Sequence, residues 1–336
     1  MTNGIAYIII LNYNGWSDTI ECLESVLKTT GINYRIVLID NNSLDESTNK
    51  ILMWAAGKIL AETSSDPRIS SLTQPAVPKP IKIELIDTVQ TPGDKHDIVL
   101  IKSQDNNGFS AGNNLGIRYA MKDPNCNYLW LLNNDTVIFP NTLEKLIHFH
   151  SENTKTQKIG IIGCRLALYN SPSIQQAYAG KFNKLKCIPE HQGENDTIDS
   201  EKFSDNYDYA IGASMLLSRK YIEEVGYMNE AYFLYFEELD LTLRGKKFGW
   251  KTLVDPSTYL YHKHGNSTGN NNAFERSEFS DIVLLKSKIY FIKKHYPLLI
   301  VIVLLSFPLV IINRIKRGQS KRLFNLTWTL FKAILK

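Results

Sequence analysis

Acidic residues are missing from the last 51 positions of this 336-residue chain. From Lys286 to Lys336 there are 11 Lys or Arg and no Asp or Glu. With 38 basic and 34 acidic residues in total, the first 285 positions hold 27 basic against 34 acidic. An acidic body with a basic tail excludes nucleic acid as the partner and points the tail toward an anionic membrane surface. Cysteine is scarce: Cys22, Cys126, Cys164 and Cys187 lie far apart with no CxxC pair. That excludes a zinc knuckle and a disulfide framework, and it suits a reducing compartment. Neither GxGxxG nor GxxxxGK[ST] occurs, so Rossmann-type dinucleotide binding and P-loop phosphate binding have no support. No basic residue precedes the first apolar run, Ile5 to Leu11, which Asn12 ends; it reads as a buried strand, not a signal peptide.

The first half alternates strand-like and helix-like segments. Ile5–Leu11 and RIVLID (Arg35–Asp40), Ile98–Lys102 and Tyr128–Leu132 are short apolar runs that end in polar residues. Between them, Ile20, Leu23, Val26 and Leu27 recur at helical spacing with Ser17 available as an N-cap, and Ser110–Met121 follows a glycine-containing turn. This alternation predicts an α/β fold on an open, mostly parallel sheet, whose ligands bind beyond the carboxyl ends of the strands. Residues 63–95 interrupt the rhythm with five of the twelve prolines. They read as a surface insertion in a domain over 1–285, with Ile81–Ile86 as a short edge strand. In the tail (286–336), Leu298–Ile312 is almost wholly apolar, holds Pro308, and is followed by Arg314, Lys316, Arg317, Lys321 and Arg322. It falls short of the roughly 20 residues of a full span. A marginal span, a re-entrant hairpin bent at Pro308 and an interfacial helix all fit, and a buried core helix is the plain alternative.

Polar clusters stand at the strand ends. Asp40 opens Asn41-Asn42-Ser43-Leu44-Asp45, where a carboxylate can accept hydrogen bonds from a ribose or a base; the plain alternative is a turn. Asn106 to Asn114 holds Gly108 and Gly112, which allow backbone N–H groups close to an anion or sugar. Trp130-Leu131-Leu132 runs straight into Asn133-Asn134-Asp135, oxygen donors suited to Mg²⁺ or Mn²⁺ shared with substrate phosphates. Glu237, Glu238 and Asp240 follow a run of aromatics, and partial desolvation there suits a general base. On a helix, Asp240 would pair with Arg244. His262 and His264 precede a Gly/Ser/Thr stretch and are candidates for metal or phosphate contact.

Taken in order, IIILNYNG, VLIDNNSLDES, NNGFSAGNNLG, WLLNNDT, IGASMLLSR, YFEELDLTLR and YHKHGNST resemble glycosyltransferase family 2, in particular its rhamnosyltransferase-like bacterial branch. The resemblance runs from about Ile5 to Gly269. It implies a GT-A fold, with a nucleotide-binding first half and an acceptor-binding second half. It sets Asp40 and Asp45 near the nucleoside, with Asn12, Asn42, Gly108, Phe109, Asn113, Asn114 and Asn134 also on the donor side. Asn133-Asn134-Asp135 matches the family's DxD motif, with Asp135 as the retained carboxylate and Asn133 where the first Asp often stands. Glu238 matches the catalytic base, with Glu237 in reserve and Asp240 completing the acidic group. His262 matches a histidine that ligates the metal or contacts the diphosphate, ahead of His264. Gly212 and Ala213 match a small-residue stretch lining the sugar pocket.

The resemblance thus implies an inverting transfer dependent on Mg²⁺ or Mn²⁺, from a nucleotide-sugar donor to a lipid-linked or polysaccharide acceptor. dTDP-rhamnose is the leading donor, and the cytoplasmic face of a bacterial inner membrane is the expected site. A nucleotidyltransferase should carry basic residues after the first strand, where Asn12-Tyr13-Asn14-Gly15-Trp16 stands. A degenerate, membrane-associated binding protein is the remaining competitor; it predicts damage at Asp135, Glu238 or His262, all of which can still act as ligands or base.

Overall fold

The strand-like runs are apolar at consecutive positions because both sheet faces are covered. In the computed structural model, which describes residues 4–93, 96–263 and 277–335, Ile8 and Ile10 enter one core layer while Tyr7 and Ile9 enter the other. The chain runs β1 (Ile5–Asn12), α1 (Trp16–Val26), β2 (Tyr34–Asp40), α2 (Ser47–Ala55), α3 (Pro67–Thr73), β3 (Ile83–Ile86), β4 (Ile98–Lys102), α4 (Gly108–Met121) and β5 (Cys126–Asn133). It continues through β6 (Thr136–Val137), α5 (Thr142–Thr154), β7 (Ile159–Leu168), β8 (Ser171–Ala177), β9 (Ala179–Asn183), β10 (Ile188–Gln192), β11 (Ser214–Ser218), α6 (Arg219–Val225), α7 (Glu237–Lys247) and β12 (Lys251–His262). Three helices close it: α8 (Glu278–His295), α9 (Ile300–Lys316) and α10 (Leu323–Leu335).

The main sheet has the order β3-β4-β2-β1-β5-β11-β7-β12-β6, with β8 added on β7; β9 and β10 form a separate hairpin. The first five strands of that order pair in parallel, and β11 enters antiparallel to both β5 and β7. Helices α1, α2 and α5 cover one face, and α4, α6 and α7 cover the other. The expected α/β architecture with polar strand ends on one edge is therefore present. α4 approaches closely through small residues: a Cβ at Gly112 would come within 2.4 Å of Leu11, and one at Gly116 within 2.5 Å of Ile9.

Three local expectations need correction. Ser17 does not cap α1; the helix starts at Trp16 after Gly15, and the Ser17 hydroxyl donates to Glu62 (3.0 Å). The 63–95 segment is not only surface. β3 forms the edge strand as expected, but α3 buries Ile69 and Leu72 against Val137, Ala167 and Tyr261. Its helical signal is two apolar positions three apart, with Asp66 capping at the Arg68 N–H and Pro67 in the first turn, and the nearby prolines obscured it. In the tail there is no hairpin at Pro308, because α9 runs through it unbroken, and only Val303 and Phe307 of α9 are buried, so it is not a core helix. With the short 3₁₀ turn before it, Pro297–Lys316 is 20 residues long with mean hydropathy 2.6, enough to cross a membrane by length and composition.

The tail is nonetheless bound to the body. α8 runs across the 285/286 division drawn from charge. Phe291, Ile292, Val303, Phe307, Leu326 and Leu330 form one cluster with Tyr232, Phe236 and Leu239 at the start of α7. Its polar node is the fully buried Asp240. Oδ2 accepts from Arg244 Nε (2.9 Å), the pair foreseen on a helix, and Oδ1 meets Lys294 and His295 of α8, each at 2.7 Å. Burial opposes ionisation of Asp240, but these three partners outweigh it and hold the carboxyl far below the usual carboxylate range. A depressed folded-state pKa stabilises above the unfolded value of about 4 and loses that stability as pH falls through the folded one. Asp240→Asn should therefore cost about 2 kcal/mol at neutral pH, since it removes the charge that Arg244, Lys294 and His295 bond. Denaturant melts at several pH values should find the gap to wild type closing as pH drops below about 4.

Candidate functional site

The carboxyl ends of β1, β2 and β4 are tied together by short polar side chains. Asn12, fully buried, donates from Nδ2 to Asp40 Oδ1 (3.1 Å) and Ser43 Oγ (3.0 Å), and accepts at Oδ1 from Thr19 (2.8 Å). Asp40 Oδ2 accepts from Thr48 (2.6 Å). Asn14 and Asn42 adopt left-handed backbone with φ of 50° and 60°. Asn tolerates that region, and here it lets the two loops face each other: Leu44 N–H donates to Asn14 Oδ1 (2.7 Å), and Asn14 N–H to Ser43 Oγ (2.9 Å). Asp45, half-buried, takes the Ser47 N–H (3.1 Å) and hydroxyl. Asn41 reaches the third loop through Asn106 Oδ1 (2.8 Å).

Gly108 has φ of +88°, and a Cβ there would stand 2.2 Å from the Phe233 carbonyl, which accepts the Phe109 N–H (2.7 Å). This glycine is required twice, by conformation and by close approach. It brings the aromatic loop 232–236 against the start of α4. Of the asparagines expected on the donor side, Asn113 Nδ2 donates back to Phe109 O (3.0 Å) within its own helix. Asn114 is a strut: its amide bonds Met228 N–H and O and the Glu230 carboxylate, which uses both of its N–H donors. Asn134 likewise spends its Nδ2 on Thr19 (2.9 Å) and Gly15 (3.3 Å).

Asp135 and His262 meet where β12 ends beside β6. His262 Nε2 lies 3.1 Å from Asp135 Oδ1 and 3.5 Å from Asn133 Nδ2, while its Nδ1 pairs with Gln176 Oε1 (2.8 Å). A proton on Nδ1 satisfies Gln176 and leaves Nε2 facing Asp135. Asp135 Oδ1 is buried and accepts no well-aligned hydrogen bond. Burial opposes its charge, but His262 and Lys263 hold the carboxyl below the usual range. No cluster of three or more His, Cys, Asp or Glu able to hold a metal occurs among the described residues. The set still fits a hard divalent cation, which commonly takes one or two carboxylates and completes its shell with water and substrate phosphate. Asp135, His262 and the Asn133 amide oxygen are the residues that would hold it. His264 lies outside the described residues.

Lys263 was not singled out by sequence reasoning. Its ammonium meets Asp18 and Glu21 of α1, each at 2.6 Å, and lies over the Tyr169 ring. With its N–H on the Asp135 carbonyl (3.0 Å), it fixes the strand end that carries His262. Gln176, which orients the imidazole, gave no sequence signal either.

The acidic group divides. Glu237 and Glu238 open α7 after two residues in left-handed conformation, Tyr235 and Phe236, and each keeps a buried Oε2 with no hydrogen-bond partner. Burial, and for Glu237 the neighbouring Glu238 charge, pushes both carboxyls well above the usual range. Asp240 faces α8 and is consumed there, which removes it from the catalytic candidates. Glu238 faces Gly212: a Cβ added at that glycine would lie 3.9 Å from its carboxyl. The adjacent Ala213 carbonyl accepts the Asn133 N–H (3.0 Å). Glu238 thus stands across from Gly212, whose neighbour Ala213 is bonded to Asn133 beside the Asp135–His262 pair.

Comparison with known proteins bears on the family and the fold. The family described as "Glycosyl transferase family 2" matches residues 7–75 and 83–226. The low-salt glycan biosynthesis hexosyltransferase Agl10 of Haloferax volcanii is 27% identical over 154 residues, 45% of this chain and 47% of that protein. The N-acetylglucosaminyl-diphospho-decaprenol L-rhamnosyltransferase of Mycobacterium tuberculosis is 37% identical over 62 residues, 18% of this chain and 20% of that protein. The chain thus spans less than half the length of these curated relatives. Among solved structures, the fold is similar to GalNAc-T7 with UDP, GalNAc and Mn²⁺ (TM-score 0.56, 14% identity, 86% of this chain and 48% of that one). It is also similar to the mannosyltransferase PcManGT of Pyrobaculum calidifontis in complex with GDP-Man and Mn²⁺ (TM-score 0.51, 10% identity, 98% of this chain and 73% of that one). The fold is that of GT-A glycosyltransferases, and the chain belongs to glycosyltransferase family 2.

Proposed function

We propose that this chain transfers a sugar, with inversion and with Mg²⁺ or Mn²⁺, from a nucleotide-sugar donor to a glycan acceptor held at a membrane. The observation that carries the reading is the position of Glu238, whose buried Oε2 has no hydrogen-bond partner, across from Gly212 and next to the Ala213 that bonds Asn133 beside the Asp135–His262 pair. The loops bearing Asn12, Asp40, Asn42 and Asp45 hold the nucleoside, and Gly108, Phe109 and Asn113 border it. Gly212 and Ala213 border the sugar. Asp135, His262 and Asn133 hold the cation, which offsets negative charge on the departing diphosphate when bound.

Glu238 takes the proton of an acceptor hydroxyl. That oxygen forms its bond to the anomeric carbon as the bond to the diphosphate breaks, and the nucleoside diphosphate leaves from the opposite side. Glu237, buried beside it, keeps the local environment poorly solvated and is the reserve base. The rhamnosyltransferase relative, named for transfer to a diphospho-decaprenol-linked sugar, supports rhamnose as the sugar, with dTDP-rhamnose as the leading donor, and a lipid-linked glycan in cell-surface polysaccharide assembly as the acceptor. The apolar, acid-free segment 286–336 would hold the protein at the cytoplasmic face of a bacterial inner membrane.

Titration of a nucleotide-sugar panel with and without Mn²⁺ tests the reading. Asp135→Ala should abolish metal-dependent donor binding. Glu238→Gln should keep donor binding within about threefold and lower turnover roughly 10²–10⁴-fold. No nucleotide-sugar binding by wild type, with or without metal, would replace this reading with that of a non-catalytic glycan-binding protein.

The pH profile gives an independent check. A base acts only when ionised, and burial pushes the Glu238 carboxyl up to about 7. Turnover at saturating donor should therefore rise through that pH and level off above it. A rate already flat from about pH 5 upward, where an ordinary glutamate is ionised, would exclude Glu238 as the base.

A further inference from the structure

α9 is long enough to cross a membrane, yet its packing argues against crossing. It folds back along α8: Tyr296 and the turn Pro297–Leu299 join the C-terminal end of α8 to α9, and Arg314 near the far end of α9 bonds Asp281 in the first turn of α8 (2.7 Å). Arg322, just before α10, meets the same buried carboxylate (3.2 Å). Val303 and Phe307 pack beneath α9, and Leu326 and Leu330 beneath α10, in the cluster that includes Ile289, Phe291 and Ile292 of α8.

α8 in turn is fixed to the catalytic loop. Ser287 Oγ donates to the Leu234 carbonyl (2.8 Å), Phe291 packs on Phe236 with ring centroids 5.0 Å apart, and Lys294 and His295 hold Asp240. A membrane-crossing α9 would drag α8, with Lys286, Lys288, Lys293 and Lys294, into hydrocarbon, where charged side chains are costly.

The outward faces point to a different arrangement. Leu305, Leu309 and Ile312 on α9, and Phe324, Trp328 and Phe331 on α10, recur at i, i+4 and i+7, and all are exposed, Leu305 at 75% and Phe324 at 76%. Exposed Lys316, Lys321 and Lys332 flank these faces. On the neighbouring turn of α8, Asp281 is neutralised by two arginines and Glu278 accepts from Asn325 (2.7 Å). Apolar stripes with an aromatic Trp, edged by lysines and with no acid on α9 or α10 themselves, match the interface of an anionic bilayer.

We propose that α9 and α10 lie in the plane of an anionic bilayer as a two-helix paddle that enters one leaflet and does not cross. α8 then separates the leaflet from the loop 232–236 by one helix layer, about 10 Å. That is close enough for a lipid-linked diphosphate at headgroup depth to present its sugar to Glu238. The docking stands apart from the transferase reading; only the placing of the acceptor rests on it.

Two measurements on the full chain test the paddle. In flotation with phosphatidylcholine vesicles, with and without phosphatidylglycerol, wild type should bind the anionic vesicles at least tenfold better. The double substitution Leu305→Glu with Trp328→Glu should abolish that binding while leaving donor binding intact. Equal binding to both vesicles, or undiminished binding by the double variant, overturns the paddle. Membrane vesicles from producing cells can then be treated with a membrane-impermeant maleimide, using Ser320→Cys and the body position Ser204→Cys; the four native cysteines are buried. Equal labelling of the two positions is expected, and protection of one with exposure of the other means that α9 crosses. Donor binding measured on the same samples separates the two proposals, since its loss in wild type would fell the transferase reading and leave the docking standing.

Discussion

A buried carboxylate and an imidazole 3.1 Å apart set the terms for the centre of this molecule. Gln176 fixes the His262 ring at Nδ1 and turns Nε2 toward the Asp135 oxygen, and His262 and Lys263 together favour the Asp135 charge that burial opposes. The surroundings hold the pair in place with little freedom to relax. Lys263 is locked between Asp18 and Glu21, and its N–H is on the Asp135 carbonyl. Asn133 is pinned to Ala213 on the next strand. Sheet order follows the same logic, since β12 reaches β6 beside the end of β5 only because β11 and β7 intervene in the right directions.

Glu237, Glu238 and Asp240 lie within four residues, yet they have opposite electrostatic fates. The difference is the count of cations and donors each one meets. Asp240 meets Arg244, Lys294 and His295 and is driven to ionise although fully buried. Glu237 and Glu238 meet none of these cations; a backbone hydrogen bond is too little to offset the lost solvent, one oxygen of each stays unpartnered, and burial dominates. An unsatisfied oxygen at rest is what the proposed base role requires, because an acceptor hydroxyl would supply the missing donor.

The sequence made the parallel half of the sheet legible because those strands are buried on both faces and appear as unbroken apolar runs. It made the strand-end asparagines and acids legible as a group, since only a few residue types crowd such ends. It did not separate Asn12, which links three loop groups, from Asn114, which braces α4 against Met228 and Glu230: both are asparagines in polar clusters, and only the partner distinguishes them. Gln176 and Lys263 were hidden because their roles depend on strands distant in sequence. α3 was hidden because a seven-residue helix offers two apolar positions and little periodicity. For the tail, charge marked a boundary where the backbone has none, since α8 belongs to both sides of it.

That shared helix has a consequence for the chemistry of Glu238. Tyr209, Tyr232 and Phe236, which exclude water near α7, belong to the same apolar cluster as Phe291, Val303 and Leu330. The low polarity that raises the Glu238 carboxyl is therefore built from both halves of the chain, and the loop in left-handed conformation just before it is held from below by Ser287 and Phe291. A disturbance of the tail would admit water around Tyr232 and Phe236 and lower the Glu238 pKa, without touching the loops that bear Asn12 and Asp40. The apolar helices thus form the floor beneath Glu238 as well as an exposed outer face, and the two are inseparable because one layer of side chains makes both.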